Sequence, residues 1–101
     1  MSVKMTVVYG KPEDPEAWDK HYWEVHVPIV ERYPGVERIE VAKVSGGPMG
    51  SPSPYHVITE IYFADEAALN AALASDAGRE SGKDFVAIAP QGSFMTVSEI
   101  V

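Results

Sequence analysis

Val3, Met5, Val7 and Tyr9 alternate with Lys4 and Thr6, the two-residue period of a half-buried strand. Lys11-Pro12-Glu13-Asp14-Pro15 breaks that period. Asp14, Pro15 and Glu16 then form a helix start: a side-chain acceptor at the N-cap, a proline whose φ is already set, and a carboxylate at the positive dipole end. At about 100° per residue, Trp18, Tyr22, Trp23, Val25, Ile29, Val30 and Tyr33 fall on one broad arc. The helix is expected to reach Tyr33, where Pro34-Gly35 stops it. Val36 to Val44 reads as a second strand with Ile39 and Val41 on one face. Ser45 to Pro54 consists of turn formers and reads as a mobile loop, a candidate flap. Tyr55 to Phe63 is a third strand, with Tyr55, Val57, Ile61 and Phe63 on one side and His56, Ile58, Glu60 and Tyr62 on the other. Asp65 caps a second helix, Glu66 to Ala74, in which Leu69 and Leu73 lie one turn apart. Beyond Ser75 the glycines at 78 and 82 weaken the helical signal, so a short irregular helix is expected around Lys83 to Ile88, with Phe85 inward. Gly92 to Val101 closes the chain as a fourth strand.

The order β-α-β-β-α-β is that of an α+β, ferredoxin-like sandwich, with one four-stranded antiparallel sheet and two main helices on one face. At 101 residues, 46% of them hydrophobic, the chain is expected to form a single domain over residues 1–101. The helices can cover only one side of the sheet. Yet the strands carry apolar groups on both sides: Val8 beside Val7, Ile58 and Tyr62 beside Val57 and Ile61, Phe94 and Ile100 beside Met95, Val97 and Val101. The open sheet face is therefore expected to pack on the same face of a second copy, giving a closed two-fold homodimer.

Charge narrows the partners. Eight Lys and Arg stand against 15 Asp and Glu, a net charge of −7, and the basic residues are scattered. No patch can track a polyanion, so neither nucleic acid nor a membrane surface is expected as a partner. The absence of cysteine removes disulfide and thiolate chemistry. No signal-like segment opens the chain, no apolar run has transmembrane length, and a cytoplasmic location is expected.

Chemistry concentrates in His21-Tyr22-Trp23-Glu24-Val25-His26-Val27-Pro28. His26 falls near the middle of the apolar arc, one turn from aromatic rings, where an imidazole can act as a general acid or base. It can equally be a core histidine bonded to a backbone carbonyl. Pro28 lacks an N–H and leaves the Glu24 carbonyl without its helical partner, so a kink is expected there. Tyr62, Tyr9 and Tyr22 are candidate donors to a developing enolate or phenolate. His56 and Glu60 join them if the even-numbered face of the third strand lines a pocket; otherwise Tyr55, Val57 and Ile61 are its walls. Without a carboxylate partner, burial would lower the His26 pKa, whereas Glu60 or Asp84 beside it would raise it. His21, at the edge of the arc, reads as a surface residue. Trp18 and Trp23 bury area first and recognise ligands second. His21 and His26 lie about 140° apart around the helix and cannot pair on a metal, and no basic cluster stands ready for haem propionates. No metal or cofactor is expected. Nucleotide-binding glycine loops, the Gly-x-Ser-x-Gly elbow and paired glycosidase carboxylates are missing.

In order and spacing, His21-Tyr22-Trp23 leading to His26-Val27-Pro28, the Pro34-Gly35-Val36 turn, the Gly/Pro loop before Tyr55-His56, Ile61-Tyr62-Phe63-Ala64-Asp65, and Ser75-Asp76-Ala77-Gly78 followed by Asp84-Phe85 resemble the EthD family (ethyl tert-butyl ether degradation) of the dimeric α+β barrel superfamily. The likeness spans essentially the whole chain. It implies a dimer whose sheets form a barrel, with a small hydrophobic pocket between each sheet and its own helices. Architectural relatives include lactone isomerases, polyketide cyclases, decarboxylases, cofactor-free monooxygenases and proteins without known activity. Two readings follow. In one, the chain is a cofactor-free isomerase, cyclase or lyase acting on a small hydrophobic oxygenated or aromatic catabolic intermediate. His26 and Tyr62 are then catalytic, and Tyr9, Tyr22, Trp23, Ile29, His56 and Phe85 surround the ligand. In the other, it is a non-catalytic accessory of an oxygenase system in ether or aromatic degradation.

Overall fold

A computed structural model describes residues 1–101 and places strands β1 (Val3–Gly10), β2 (Arg38–Lys43), β3 (Tyr55–Phe63) and β4 (Phe94–Glu99) in one antiparallel sheet ordered β2-β3-β1-β4. The alternation read from β1 has a direct structural counterpart. Val3, Met5, Val7 and Tyr9 stand opposite Phe63, Ile61, Thr59 and Val57, and all of these side chains are buried. This is the face the helices cover, as in a ferredoxin-like fold.

The first helix, α1, has three consecutive segments, Pro15–His21, Tyr22–His26 and Val27–Val30. Asp14 caps it, its carboxylate accepting the Ala17 N–H at 3.2 Å. The middle segment is a π turn in which the Val27 N–H bonds the Tyr22 carbonyl. The irregularity expected at Pro28 thus lies just before it, as a π turn within the helix. The helix ends at Val30, three residues before the expected Tyr33. Pro34 and Gly35 then reverse the chain, Gly35 at φ +75°, where a side chain would be strained.

Asp65 accepts the Ala68 N–H at 2.8 Å and starts α2 (Glu66–Ala74). Ser75 caps α3 (Asp76–Ile88) by accepting the Gly78 N–H at 3.1 Å. This 13-residue helix replaces the short irregular one expected from the glycines. The glycine at 78 serves close packing: a Cβ there would sit 2.3 Å from the Ala72 carbonyl oxygen. The hydrogen bonds from Glu37 N–H to Tyr62 and from Val44 N–H to His56 extend β2 at both ends. Within the Ser45–Pro54 stretch lies one turn of 3-10 helix, Pro48–Gly50, flanked by a Gly47 N–H to Ser51 carbonyl bond of 2.7 Å.

One departure from simple alternation matters for function. Tyr9 pairs with Val57 but Gly10 pairs with Tyr55, so His56 is the extra residue of a β-bulge. A bulge breaks the period of two. His56 therefore joins Val57 on the helix side, where its imidazole meets Asp19 and the Trp18 ring. It does not share the face of Ile58, Glu60 and Tyr62, as regular alternation would have it.

On the helix-free face, the Lys4 ammonium pairs with Glu60 at 2.5 Å, the Tyr62 hydroxyl donates to Glu40 at 2.9 Å, and the Arg38 guanidinium lies 4.0 Å from the Tyr62 ring centre. Toward the other end of that face Phe94, 44% exposed, packs edge-on to Tyr55. No helix is long and apolar enough to cross a membrane.

Candidate functional site

Between the sheet and α1 and α3 lies a cavity of about 260 Å³, walled by Met5, Val7, Ile61, Val30, Phe85, Met95 and Val97, with Tyr9, His26, Tyr33, Thr59 and Ser81 as polar lining. Small residues hold it open on the α3 side, since Gly82 also lines it and a Cβ there would meet nothing within 4 Å.

His26 reaches the cavity from the π turn and is 5% exposed. Its Nδ1 lies 2.8 Å from Asp84 Oδ2 on α3. An ionised carboxylate only accepts, so the ring proton belongs on Nδ1 and the lone pair on Nε2. Nε2 faces the Tyr9 hydroxyl at 3.4 Å, a long contact with the hydroxyl as donor. Asp84 is shared: its Oδ1 lies 2.8 Å from His21 Nε2, and the side chains of His21, Asp84 and His26 are 40%, 15% and 7% exposed. His21, which reads from sequence as a surface residue, is half-exposed but tied into this group.

The tyrosines divide by partner. Burial raises the Tyr9 pKa well above that of a free phenol, reinforced by Tyr22, Tyr33 and Asp84 nearby, so the hydroxyl stays protonated and able to donate. Burial pushes Tyr22 up to about 12, opposed by its hydrogen bond to Thr59. Tyr33 is raised for the same reason, opposed by its bond to Ser81. Tyr22 and Tyr33 are thus committed to hydroxyl partners, whereas Tyr9 meets the imidazole. The Tyr22 ring stacks between Trp18 (4.9 Å, 9°) and His26 (5.6 Å, 22°), fixing the plane of the histidine.

Of the residues singled out by sequence, His26, Tyr9 and Phe85 line the cavity, Phe85 resting 5.8 Å from the Tyr9 ring. Tyr22 supports His26 from behind. Ile29 is buried in the core, away from the cavity lining. Trp23 is 54% exposed and touches the edge of Tyr22 rather than the cavity. Tyr62 and Glu60 lie on the opposite face of the sheet, because residues one apart on a strand point to opposite sides; the sheet therefore separates Tyr62 from His26 and the cavity, contrary to the expected pairing of the two. His56 is held by Asp19 at 2.6 Å, outside the cavity. Sequence reasoning underrated Asp84, naming it only as one alternative partner, and missed Tyr33, Thr59 and Ser81. The available signal was the stripe Ala77, Ser81, Asp84, Phe85 and Ile88, whose helical spacing emerges once α3 begins at Asp76.

A family model, the EthD domain, matches residues 11–89. An uncharacterized 11.0 kDa protein in the thcB-thcC intergenic region of Rhodococcus erythropolis is 33% identical over 96 residues, 95% of this chain and 92% of the relative. The crystal structure of an ethyl tert-butyl ether degradation (EthD) family protein from Bacillus halodurans C-125 superposes with a TM-score of 0.94 at 33% identity, covering 100% of both chains. At fold level only, a hydroxynitrile lyase from Passiflora edulis gives a TM-score of 0.82 at 13% identity over 99% and 94% of the two chains. A dimeric ferredoxin-like protein of unknown function from Jannaschia sp. CCS1 gives 0.74 at 16% identity over 99% and 100%.

Proposed function

The chain belongs to the EthD family, and from that premise we propose that it binds a small, largely apolar, oxygenated compound and moves a proton on it with His26. The observation that carries this reading is the 2.8 Å bond from His26 Nδ1 to Asp84, which leaves a basic Nε2 at the cavity. A C–H or O–H bond of the ligand breaks, an N–H bond forms at Nε2, and the electron pair stays on the ligand as an enolate, phenolate or alkoxide. The Tyr9 hydroxyl donates to that oxygen, and Asp84 stabilises the imidazolium. A cavity of about 260 Å³ holds a compound of roughly one ring, at the lower end of small-molecule sites. Proton transfer on a small oxygenated ligand is common to isomerases, cyclases and lyases. The lyase among the fold neighbours supports this class, and the dimeric neighbour supports a homodimer through the exposed sheet face. The family description supports a place in ether catabolism.

The test is deuterium exchange in D2O. Small lactones, cyclic ketones and phenols are screened for binding by NMR, and loss of their acidic C–H signals is followed with wild type and His26→Ala. His26→Ala should slow exchange by about 10²–10⁴-fold with the fold intact. Bound ligands that exchange no faster than in buffer, or equally fast with the variant, would replace this reading with that of an accessory, non-catalytic binder.

A further inference from the structure

We infer that His21 is a positioning residue for the His26–Asp84 pair, fixing the shared carboxylate from its solvent side. The inference builds on the proposed role of His26, but its test reads the His26 tautomer and does not require turnover. Three observations carry it. Asp84 holds both imidazoles at equal distance, 2.8 Å, one on each carboxylate oxygen. The side chain of His21 is 40% exposed, whereas that of His26 is 7% exposed. Finally, the two histidines project about 140° apart around an ideal helix, yet both reach one carboxylate, because the π turn between them, Tyr22–His26, alters the helical phase.

The consequences follow from geometry and charge. A carboxylate held at one oxygen can swing about its χ2 torsion; held at both, it keeps a fixed plane and a fixed direction toward His26 Nδ1. Asp84 also carries one negative charge for two rings. Other ionisable groups do not replace this hold on the carboxylate. From β1, Tyr9 meets His26 Nε2; on α1, Lys20 and Glu24 are exposed; on α3, Lys83 is exposed, and Glu80 is paired with Arg32. His21 thereby sets the direction from which Asp84 meets His26 Nδ1, and it does so from the solvent side of the group.

The experiment reads the ring nitrogens of His26 by 15N NMR in the full chain, wild type against His21→Gln and His21→Ala. In wild type the neutral His26 ring should hold its proton on Nδ1, bonded to Asp84. His21→Gln keeps a donor for Asp84, and His26 should then keep its Nδ1–H form. His21→Ala removes the donor as well, and the His26 tautomer signals should broaden or mix while the backbone spectrum stays folded. For ligands that show exchange, the rate should fall roughly tenfold in His21→Ala and recover within about twofold in His21→Gln. A His26 tautomer in His21→Ala identical to that of wild type would overturn the role of His21. A tautomer that mixes in His21→Ala, without any ligand exchange in wild type, would instead leave His21 in place and remove the catalytic reading of His26.

Discussion

The molecule contains two buried histidine–carboxylate pairs that look alike in a list of contacts and differ in everything around them. His26, 5% exposed, meets Asp84 at 2.8 Å; His56, 8% exposed, meets Asp19 at 2.6 Å. His26 spends Nδ1 on its carboxylate and turns Nε2 to the cavity and to Tyr9. His56 spends Nε2 on its carboxylate and lays its ring against the edge of Trp18, whose indole N–H donates to the Ile88 carbonyl at 2.9 Å. One pair presents a basic nitrogen to a space a ligand can enter. The other fastens a β-bulge to α1. Burial and a carboxylate partner therefore do not tell the two histidines apart; the ring nitrogen that His26 turns to the cavity does.

The sharpest way to break this comparison is to truncate each histidine. His56→Ala leaves Asp19 without its partner and unpins the bulge, and should cost about 2 kcal/mol of stability. His26→Ala should cost only about 1 kcal/mol, because Asp84 keeps His21 and the lost ring borders an existing cavity. Urea denaturation of both variants measures this. A larger loss for His26→Ala would mean that His26 is the structural one.

A smaller effect comes from alkaline pH and belongs to the His26 side, where Tyr9, Tyr22 and Tyr33 gather. Tyrosines in the unfolded chain ionise near pH 10, whereas burial raises all three in the fold, Tyr22 to about 12. A raised folded pKa gives stability that is complete below pH 10 and is lost as pH climbs toward the folded value. The loss is at most about 1.4 kcal/mol per pH unit for each tyrosine. Tyr22→Phe should flatten the decline between pH 10 and 12 relative to wild type. An equally steep decline in the variant would show that the Tyr22 hydroxyl is not held protonated in the fold.

Much of the fold was legible because it rests on strong local signals. Alternation in β1 and β3, the caps Asp14 and Asp65 and the Pro34-Gly35 reversal all carry their reasons within a few residues. α3 was misread because Gly78 looks like a helix breaker from sequence, and only the neighbouring Ala72 carbonyl reveals why no side chain fits. The site was half legible. His26 stands out as a polar interruption of an apolar arc, and Tyr9 as the end of a buried strand face. Regular alternation puts His56 on the face of Tyr62; one bulged residue moves His56 to the helix side and leaves Tyr62 where alternation has it, and that bulge exists only in the pairing with Tyr9 and Gly10. Asp84 was named but not chosen, since its distance from His26 is set by α3 crossing α1, a tertiary relation with no local trace.

The measurement that bears most directly on the central claim is the tautomer of His26, read from its ring nitrogens by 15N NMR near neutral pH. The account requires the neutral ring to carry its proton on Nδ1, bonded to Asp84, with Nε2 unprotonated and its signal shifting when a ligand enters the cavity. A proton resident on Nε2, or an Nε2 signal indifferent to bound ligand, would contradict it and make His26 a second structural histidine like His56.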